Sequence, residues 1–233
     1  MTSTLLLRLK GPMQSWGDES RYGIRATGHM PTKSGVVGLL AAAQGRRRAD
    51  PIEDLAGLRF AVRVDQPGTL LKDFQTAEKW QVGGGNSLVT RYFLEDAVFV
   101  AAIESDDDEM IEALRGAILN PRFPLFLGRR SCPVSPDLLI GVRPGSAVEA
   151  LKELEWQASK SHKSKRAKKV ALPIFRDADP GEIGVPRQDV PISFSQEHRK
   201  YGWREVIQDP TGAVFVNEDG KHEDPFMEAV MSV

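Results

Sequence analysis

The sequence has almost no cysteine and no long apolar run, and each absence excludes a class of protein. Its 233 residues include one cysteine, Cys132, which rules out an internal disulfide and a multi-thiolate zinc site. Apolar runs such as 97–103 fall far below the roughly 18 residues of a membrane span, and charge within the first apolar stretch argues against a signal peptide. We therefore expect a cytoplasmic protein with no membrane contact, in which Cys132 is a small buried residue.

Patterns typical of nucleotide hydrolysis or acid–base catalysis are also missing. The sequence has no G-x-x-x-x-G-K-[ST] motif, and no helix pattern follows Gly83, Gly84 and Gly85. Its four histidines are dispersed, without an i, i+4 pair, and only His29 lies near the lysine-containing helix start at 31–35. The sequence therefore predicts no catalytic residue, no metal and no cofactor.

The composition is that of an ordinary globular chain, but its charges are arranged in blocks. Hydrophobic residues make up 41% and charged residues 27% of the chain, which is enough to bury a core. The net charge of −1 hides blocks of +6, −8, +7 and −6 at 1–48, 49–120, 121–169 and 170–233. Such blocks can form one basic face for an anionic partner, although solvated faces that alternate by chance would give the same pattern.

Hydrophobic periodicity predicts the order strand, helix, strand, strand, helix, strand. The strands are expected at 5–9, 58–64, 97–103 and 138–142, and the helices after 31–34 and from 106–109. This order predicts an α+β fold with a ferredoxin-like (RRM-like) domain at 1–145, an antiparallel sheet with two helices on one face. A smaller, irregular, β-rich C-terminal domain is expected at 146–233, with a basic loop at 160–169.

About thirty residues separate the second and third predicted strands, which is too many for an ordinary connection. Both arms around the three consecutive glycines contain β-formers, which predicts an inserted β-hairpin at 66–96. Basic and aromatic residues alternate in this hairpin, as suits phosphates and bases; they are Lys72, Phe74, Lys79, Trp80, Arg91 and Tyr92. The alternative is that the aromatic residues form the hairpin's own small core.

Three other segments combine groups that bind phosphates or stack on bases. Thr32, Lys33 and Ser34 at the first helix start would form a phosphate-binding corner, with simple N-capping by Thr32 as the alternative. Arg129 and Arg130 could clamp a phosphate, or one of them is only solvated. The loop after the first strand offers Gln14, Trp16, Arg21, Tyr22 and Arg25. Trp16 is equally suited to capping the edge of the core.

Several long segments resemble one known family. They are 7–17 with 31–40, 71–76 with 91–97, 123–132, and 189–194 with 199–201. They resemble the CasD family, a subunit at the foot of the Cascade surveillance complex of type I-E CRISPR immunity, and the resemblance covers most of the chain. It implies a repeat-associated RNA-binding (RAMP) fold with a ferredoxin-like domain and a projecting hairpin thumb.

The resemblance also implies a function. It implies a non-catalytic Cascade subunit that binds the 5′ handle of crRNA and caps the backbone filament. It further implies contacts with the backbone subunits, with the large subunit and, through the complex, with target DNA. A related subtype uses its corresponding subunit as a metal-independent endoribonuclease, which is the alternative; a purely structural subunit is a third. The expected RNA-binding residues are Gln14, Trp16, Arg21, Tyr22, Arg25, Thr32, Lys33, Ser34, Lys72, Trp80, Arg91, Arg129 and Arg130. Lys33→Ala and Arg91→Ala are expected to weaken handle binding more than folding, and the role of 160–169 stays open.

Overall fold

The computed structural model describes residues 2–17, 24–78, 86–195 and 197–220. The helices are α1 (Lys33–Gln44), α2 (Glu53–Ala56), α3 (Asp108–Leu119), α4 (Ala147–Glu153) and α5 (Lys160–Lys163). The strands are β1 (Ser3–Lys10), β2 (Met13–Gln14), β3 (Ile24–Arg25), β4 (Arg59–Gln66), β5 (Thr69–Glu78), β6 (Asn86–Glu95), β7 (Val98–Ser105), β8 (Leu139–Pro144), β9 (Lys169–Leu172), β10 (Ile174–Asp177), β11 (Val185–Ser193), β12 (Lys200–Gln208) and β13 (Ala213–Val216). The fold is therefore a mixed α/β fold dominated by sheet.

The main sheet has the strand order β11-β12-β10-β4-β7-β1-β8, and every neighbouring pair is antiparallel. The predicted order of four strands and two helices is confirmed, because β1, α1, β4, β7, α3 and β8 follow one another with only short elements and the hairpin between them. Strand β7 is buried along almost its whole length. It reads as a continuous apolar run because both faces of the sheet are covered.

Alternating residues of β1 enter hydrophobic clusters on opposite faces of the sheet. Leu5, Leu7 and Leu9 pack in the larger cluster, which contains the apolar sides of α1 and α3. Leu6 points the other way, into a cluster that includes Leu151 of α4. The two predicted helices thus cover one face, and α4 with the small β9–β13 sheet covers the other.

The tail of the chain extends the main sheet. Strand β10 pairs with β4, β12 pairs with β10, and β11 forms the edge. Val206 of β12 is buried in the same cluster as the helices α1 and α3. The predicted boundary between 1–145 and 146–233 therefore runs through one continuous sheet, and the division into two domains stays a prediction.

The inserted hairpin is present as strands β5 and β6. They pair without a bulge from Thr69 opposite Glu95 to Glu78 opposite Asn86, and the tip at 79–85 lies outside the described residues. On the edge of β6 away from β5, β2 pairs antiparallel and β3 pairs parallel. This second sheet brings the loop after β1 against the hairpin.

Candidate nucleic-acid interface

The predicted phosphate-binding corner at the start of α1 is filled by carboxylates of the chain itself. Thr32 is the N-cap, and its Oγ1 accepts hydrogen bonds from the Gly35 N–H at 3.2 Å and the Ser34 hydroxyl at 3.3 Å. The Lys33 N–H donates to Asp189 Oδ2 at 2.8 Å, and Lys33 Nζ lies 3.1 Å from Asp177 Oδ2. Thr32 and Lys33 are buried. This corrects the phosphate-binding assignment of Thr32, Lys33 and Ser34, because an internal anion already occupies the helix N-terminus.

Arg204 completes a buried ionic network with the same two carboxylates. Its Nε and Nη2 donate to Asp189 at 2.6 and 2.9 Å, and its Nη1 donates to Asp177 at 2.5 Å. Burial alone would raise the pKa of Asp189, but the hydrogen bonds and charge of Arg204 and the Lys33 N–H outweigh burial and lower it. Burial likewise opposes the charged form of Arg204, yet the two carboxylates raise its pKa. The network ties β10, β11 and β12 to α1, and no sequence spacing indicated it.

Gln14 and Trp16 belong to the core. Gln14 is fully buried, and its amide donates to the carbonyls of Leu9 at 3.0 Å and Ala97 at 2.8 Å. Its Oε1 accepts a hydrogen bond from Trp16 Nε1 at 3.0 Å, and the indole is 1% exposed. A buried ring cannot stack on a base, so the assignment of these two residues to direct RNA contact is corrected; Trp16 caps the core edge.

Arg129 joins β6, β3 and the segment before β8. Its Nη1 donates to the Tyr92 carbonyl at 3.3 Å, and its Nη2 donates to the Arg25 carbonyl at 2.9 Å. The guanidinium carbon lies 5.0 Å from the centre of the Phe93 ring. Gly128 precedes it with φ +82°, where a Cβ would overlap the backbone of the β2 segment. Arg129 therefore braces the second sheet from a turn that requires glycine.

Arg25, Arg91 and Arg129 form an arginine cluster on one face of the second sheet. Arg25 lies opposite Arg91 in the parallel register of β3 and β6, so both side chains share a face. Arg129 reaches both strands through its hydrogen bonds to the Tyr92 and Arg25 carbonyls, and burial, followed by the charges of Arg91 and Arg25, lowers the pKa of Arg129. Neighbouring like charges repel one another unless an anion binds between them.

No carboxylate within the described part of the chain neutralises the arginine cluster. Arg91 lies opposite Asp73 in β5, but the Asp73 carboxylate accepts a hydrogen bond from Gln75 instead. The Nε of Arg91 is buried without a hydrogen-bond partner. Arg25 is exposed. The cluster thus combines an unsatisfied buried donor with excess positive charge, the combination that a phosphate group relieves.

The opposite face of the hairpin carries exposed aromatic, apolar and basic side chains. Lys72 Nζ lies 4.7 Å from the centre of the Phe74 ring, and Phe74 is 57% exposed. Leu70 and Leu88 on the same face are also exposed, while Tyr92 is half-buried. Phe74 is therefore not part of a small hydrophobic core of the hairpin, and its ring is available for stacking.

The remaining predicted residues are exposed or lie outside the described part. Arg130 is exposed and has no side-chain partner among the described residues. Arg21, Tyr22 and Trp80, like Lys79, fall in the ranges 18–23 and 79–85, outside the described residues. Cys132 is buried as expected, and burial raises the pKa of its thiol.

The described ranges contain neither a metal-binding cluster nor a membrane-spanning helix. Within 2–17, 24–78, 86–195 and 197–220, no group of three or more His, Cys, Asp or Glu side chains is placed to hold a metal ion. No helix in these ranges is both long and apolar enough to cross a membrane.

Comparison with known proteins points to one family. The chain matches the family model described as CRISPR-associated protein (Cas_Cas5) over residues 4–207. The CRISPR system Cascade subunit CasD of Escherichia coli (strain K12) is 38% identical over 160 residues, covering 60% of this chain and 71% of the relative. A solved Cas protein is 36% identical with a TM-score of 0.68, covering 95% of this chain and 99% of its own. A chain of a CRISPR RNA-guided surveillance complex is 29% identical with a TM-score of 0.75, covering 98% of each chain.

Proposed function

Because the chain belongs to the Cas5 family of CRISPR-associated proteins, we propose that it is a non-catalytic Cascade subunit that binds the 5′ handle of crRNA. In this role it caps the backbone filament and contacts the backbone and large subunits. The named relatives support this role, since one is a Cascade subunit and another is a chain of an RNA-guided surveillance complex.

The observation that carries the proposal is the unneutralised arginine cluster beside the hairpin. Arg46, Arg176 and Arg204 each bind a carboxylate of the chain, whereas Arg25 and Arg91 have none among the described residues. Arginine side chains bind phosphates with two parallel hydrogen bonds, and a buried unsatisfied donor gains most from such a partner. The cluster therefore suits the backbone of a nucleic acid.

One face of the hairpin is proposed to contact phosphates and the other to stack on bases. Arg129 holds β3 against β6, which keeps Arg25 beside Arg91 for phosphate contact. On the other face, Phe74 presents an exposed ring with Lys72 beside it. Single-stranded RNA is bound by this combination, because splayed bases stack on aromatic rings while cations hold the phosphates.

The proposed fold assignment is a ferredoxin-like core with an inserted thumb. The order β8-β1-β7-β4, with α1 and α3 on one face, supports it. In this assignment residues 1–145 contain the core and the thumb, and 146–233 form a smaller C-terminal unit that completes the sheet.

The test measures RNA retention and RNA length in one experiment. The full chain is mixed with labelled repeat RNA without metal ions, and gel retardation and RNA length are followed over time. Binding of intact RNA that depends on the 5′ handle is expected, while shortened RNA would replace the binding role with the endoribonuclease alternative. Equal retardation of RNA with a changed 5′ handle, or no retardation at all, would contradict the proposal.

Matched variants test the arginine cluster itself. Arg25→Ala and Arg91→Ala should each reduce the slope of log affinity against log salt by about 0.7, the value for one lost single-strand phosphate contact. Arg47→Ala is the control, because this exposed arginine follows α1 and lies outside the second sheet. Unchanged slopes in both cluster variants would rule out this site.

A further inference from the structure

A second basic feature lies away from the arginine cluster, in a groove at the base of the hairpin. The groove has a volume of about 700 Å³ and lies between the connections that enter and leave the hairpin and the segment that begins with α5. Lys10, His162, Lys165 and Arg166 line it, together with Ser161 and the single acidic residue Asp96. The basic segment at 160–169 is therefore folded against the hairpin rather than projecting freely.

Among the described residues, Asp96 is the one acidic side chain that lines this groove. Lys10 and Lys165 are exposed and form no ion pair within the described ranges. Arg166 Nε donates to His162 Nε2 at 3.3 Å, so the imidazole acts as a neutral acceptor. Burial, followed by the charges of Arg166 and Lys165, lowers the pKa of His162. The groove thus holds three cations against one carboxylate.

The shape and position of the groove favour a strand over a small anion. A single phosphate would fill a small part of about 700 Å³, whereas cations from two separate segments, Lys10 and 165–166, line the same groove and can contact successive phosphates of one strand. Asp96 follows Arg91 by five residues, which places the groove roughly 16 Å along the hairpin from the arginine cluster. The Ser161 hydroxyl adds an exposed hydrogen-bonding group. One nucleic-acid strand could therefore extend from the arginine cluster to the groove, and a separate strand could also occupy the groove.

We propose that this groove binds the phosphodiester backbone of a nucleic-acid strand, as a second site distinct from the arginine cluster. Two sources share this chemistry, the guide RNA as it leaves the hairpin and the target DNA. The groove would then hold phosphates through Lys10, Lys165 and Arg166, without base recognition.

The experiment uses Cascade assembled with its guide RNA and compares two double variants. Lys165→Ser/Arg166→Ser removes two groove charges, and Arg47→Ser/Arg48→Ser removes two adjacent exposed charges outside the groove. One arm measures the guide RNA retained after salt washes. The other measures affinity for a labelled target duplex between 50 and roughly 200 mM salt, the range over which phosphate contacts dominate.

Each outcome decides the proposal. Loss of guide RNA at lower salt in the groove variant assigns the groove to RNA, and a target-binding salt slope reduced by about 1.4 to 1.8 assigns it to DNA. Both arms at the level of wild type and control would overturn the proposal. Loss of a protein subunit with nucleic-acid contacts intact would also overturn it, by showing an acidic protein partner. The Arg25 and Arg91 variants test the handle-binding function separately, so either idea can fail alone.

Discussion

Two bidentate arginine–carboxylate pairs in the tail differ mainly in burial, and we expect their removal to differ accordingly. Arg204 binds Asp189 at 2.6 and 2.9 Å, and Arg176 binds Glu182 at 2.6 and 2.8 Å. The Asp189 side chain is 1% exposed and the Glu182 side chain is 38% exposed. Asp189→Asn and Glu182→Gln are therefore matched, isosteric removals of one negative charge.

The expected magnitude follows from what each change leaves behind. Asp189→Asn leaves Arg204, whose side chain is 9% exposed, with only Asp177 as a charged partner. Breaking a buried pair costs about 3 to 5 kcal/mol because the remaining charge is uncompensated, and the surviving bond to Asp177 places the expected loss near 3 kcal/mol. At a urea m-value of about 2 kcal/mol/M, the unfolding midpoint falls by about 1.5 M. After Glu182→Gln, Arg176 keeps Asp179 as a charged partner at 3.3 Å and the Glu182 position is open to water, so little change is expected.

Urea unfolding followed by tryptophan fluorescence and far-ultraviolet circular dichroism measures both variants. Coincident transitions with unchanged m-values are required for the comparison, since they show that only stability has changed. Equal midpoint shifts in Asp189→Asn and Glu182→Gln would refute the argument from burial. A lower unfolding midpoint in Glu182→Gln alone would show that the exposed pair contributes more than the buried one.

Three further predictions concern the same region of the fold. The pKa of Asp189 lies below its usual 3.8, so this carboxylate stabilises the fold above that pH and its contribution is lost as the pH falls through the lower folded-state pKa. Asp189→Asn should therefore flatten the fall in stability below about pH 4 in an acid titration followed by circular dichroism, and an unchanged acid limb would contradict this. Gly35→Ala places a Cβ 2.8 Å from the Trp16 ring and should destabilise the fold by about 1 to 3 kcal/mol. The Cβ of Gly116→Ala in α3 meets nothing within 4 Å, so this change should stabilise the fold by about 0.5 to 1 kcal/mol. Thermal unfolding that ranks the two variants otherwise would contradict the packing argument. Lys33→Ala should lower stability by about 1 to 3 kcal/mol in urea unfolding and leave RNA affinity in gel retardation unchanged. Unchanged stability with weaker RNA binding would instead support phosphate binding at the start of α1.

Hydrophobic spacing predicted the strands of the first 145 residues better than the strands of the tail. The expected strand at 97–103 lies at Val98–Ser105, and the expected helix from 106–109 begins at Asp108. The tail strands were expected only as scattered short segments. In β11 the pattern is broken by prolines and register shifts, which an edge strand tolerates. Their membership of the main sheet was therefore not visible in the sequence.

Residue type indicated which side chains have phosphate-binding or stacking chemistry, but not the environment of each side chain. Arg25, Arg91 and Arg129 come from three separate segments, and only the pairing of β3 with β6 and the Arg129 brace bring them together. Gln14 and Trp16 have equally suitable chemistry, but both are buried. Gln14 lies in the two-residue strand β2 and Trp16 lies just beyond it, and so short a segment gave no indication that both side chains would be buried.

The start of α1 explains how a chain with a net charge of −1 can still present basic surfaces. A helix N-terminus with a lysine attracts an anion, and the anion can come from outside or from the chain itself. Here Asp189, 156 positions after Lys33, provides it. Because Asp177 and Asp189 of the tail bind Lys33 and Arg204 within the fold, these two carboxylates stabilise the fold and do not neutralise the arginine cluster or the groove. The cations proposed to bind nucleic acid are therefore those that the fold leaves without a carboxylate, and this pairing is decided only when distant parts of the chain meet.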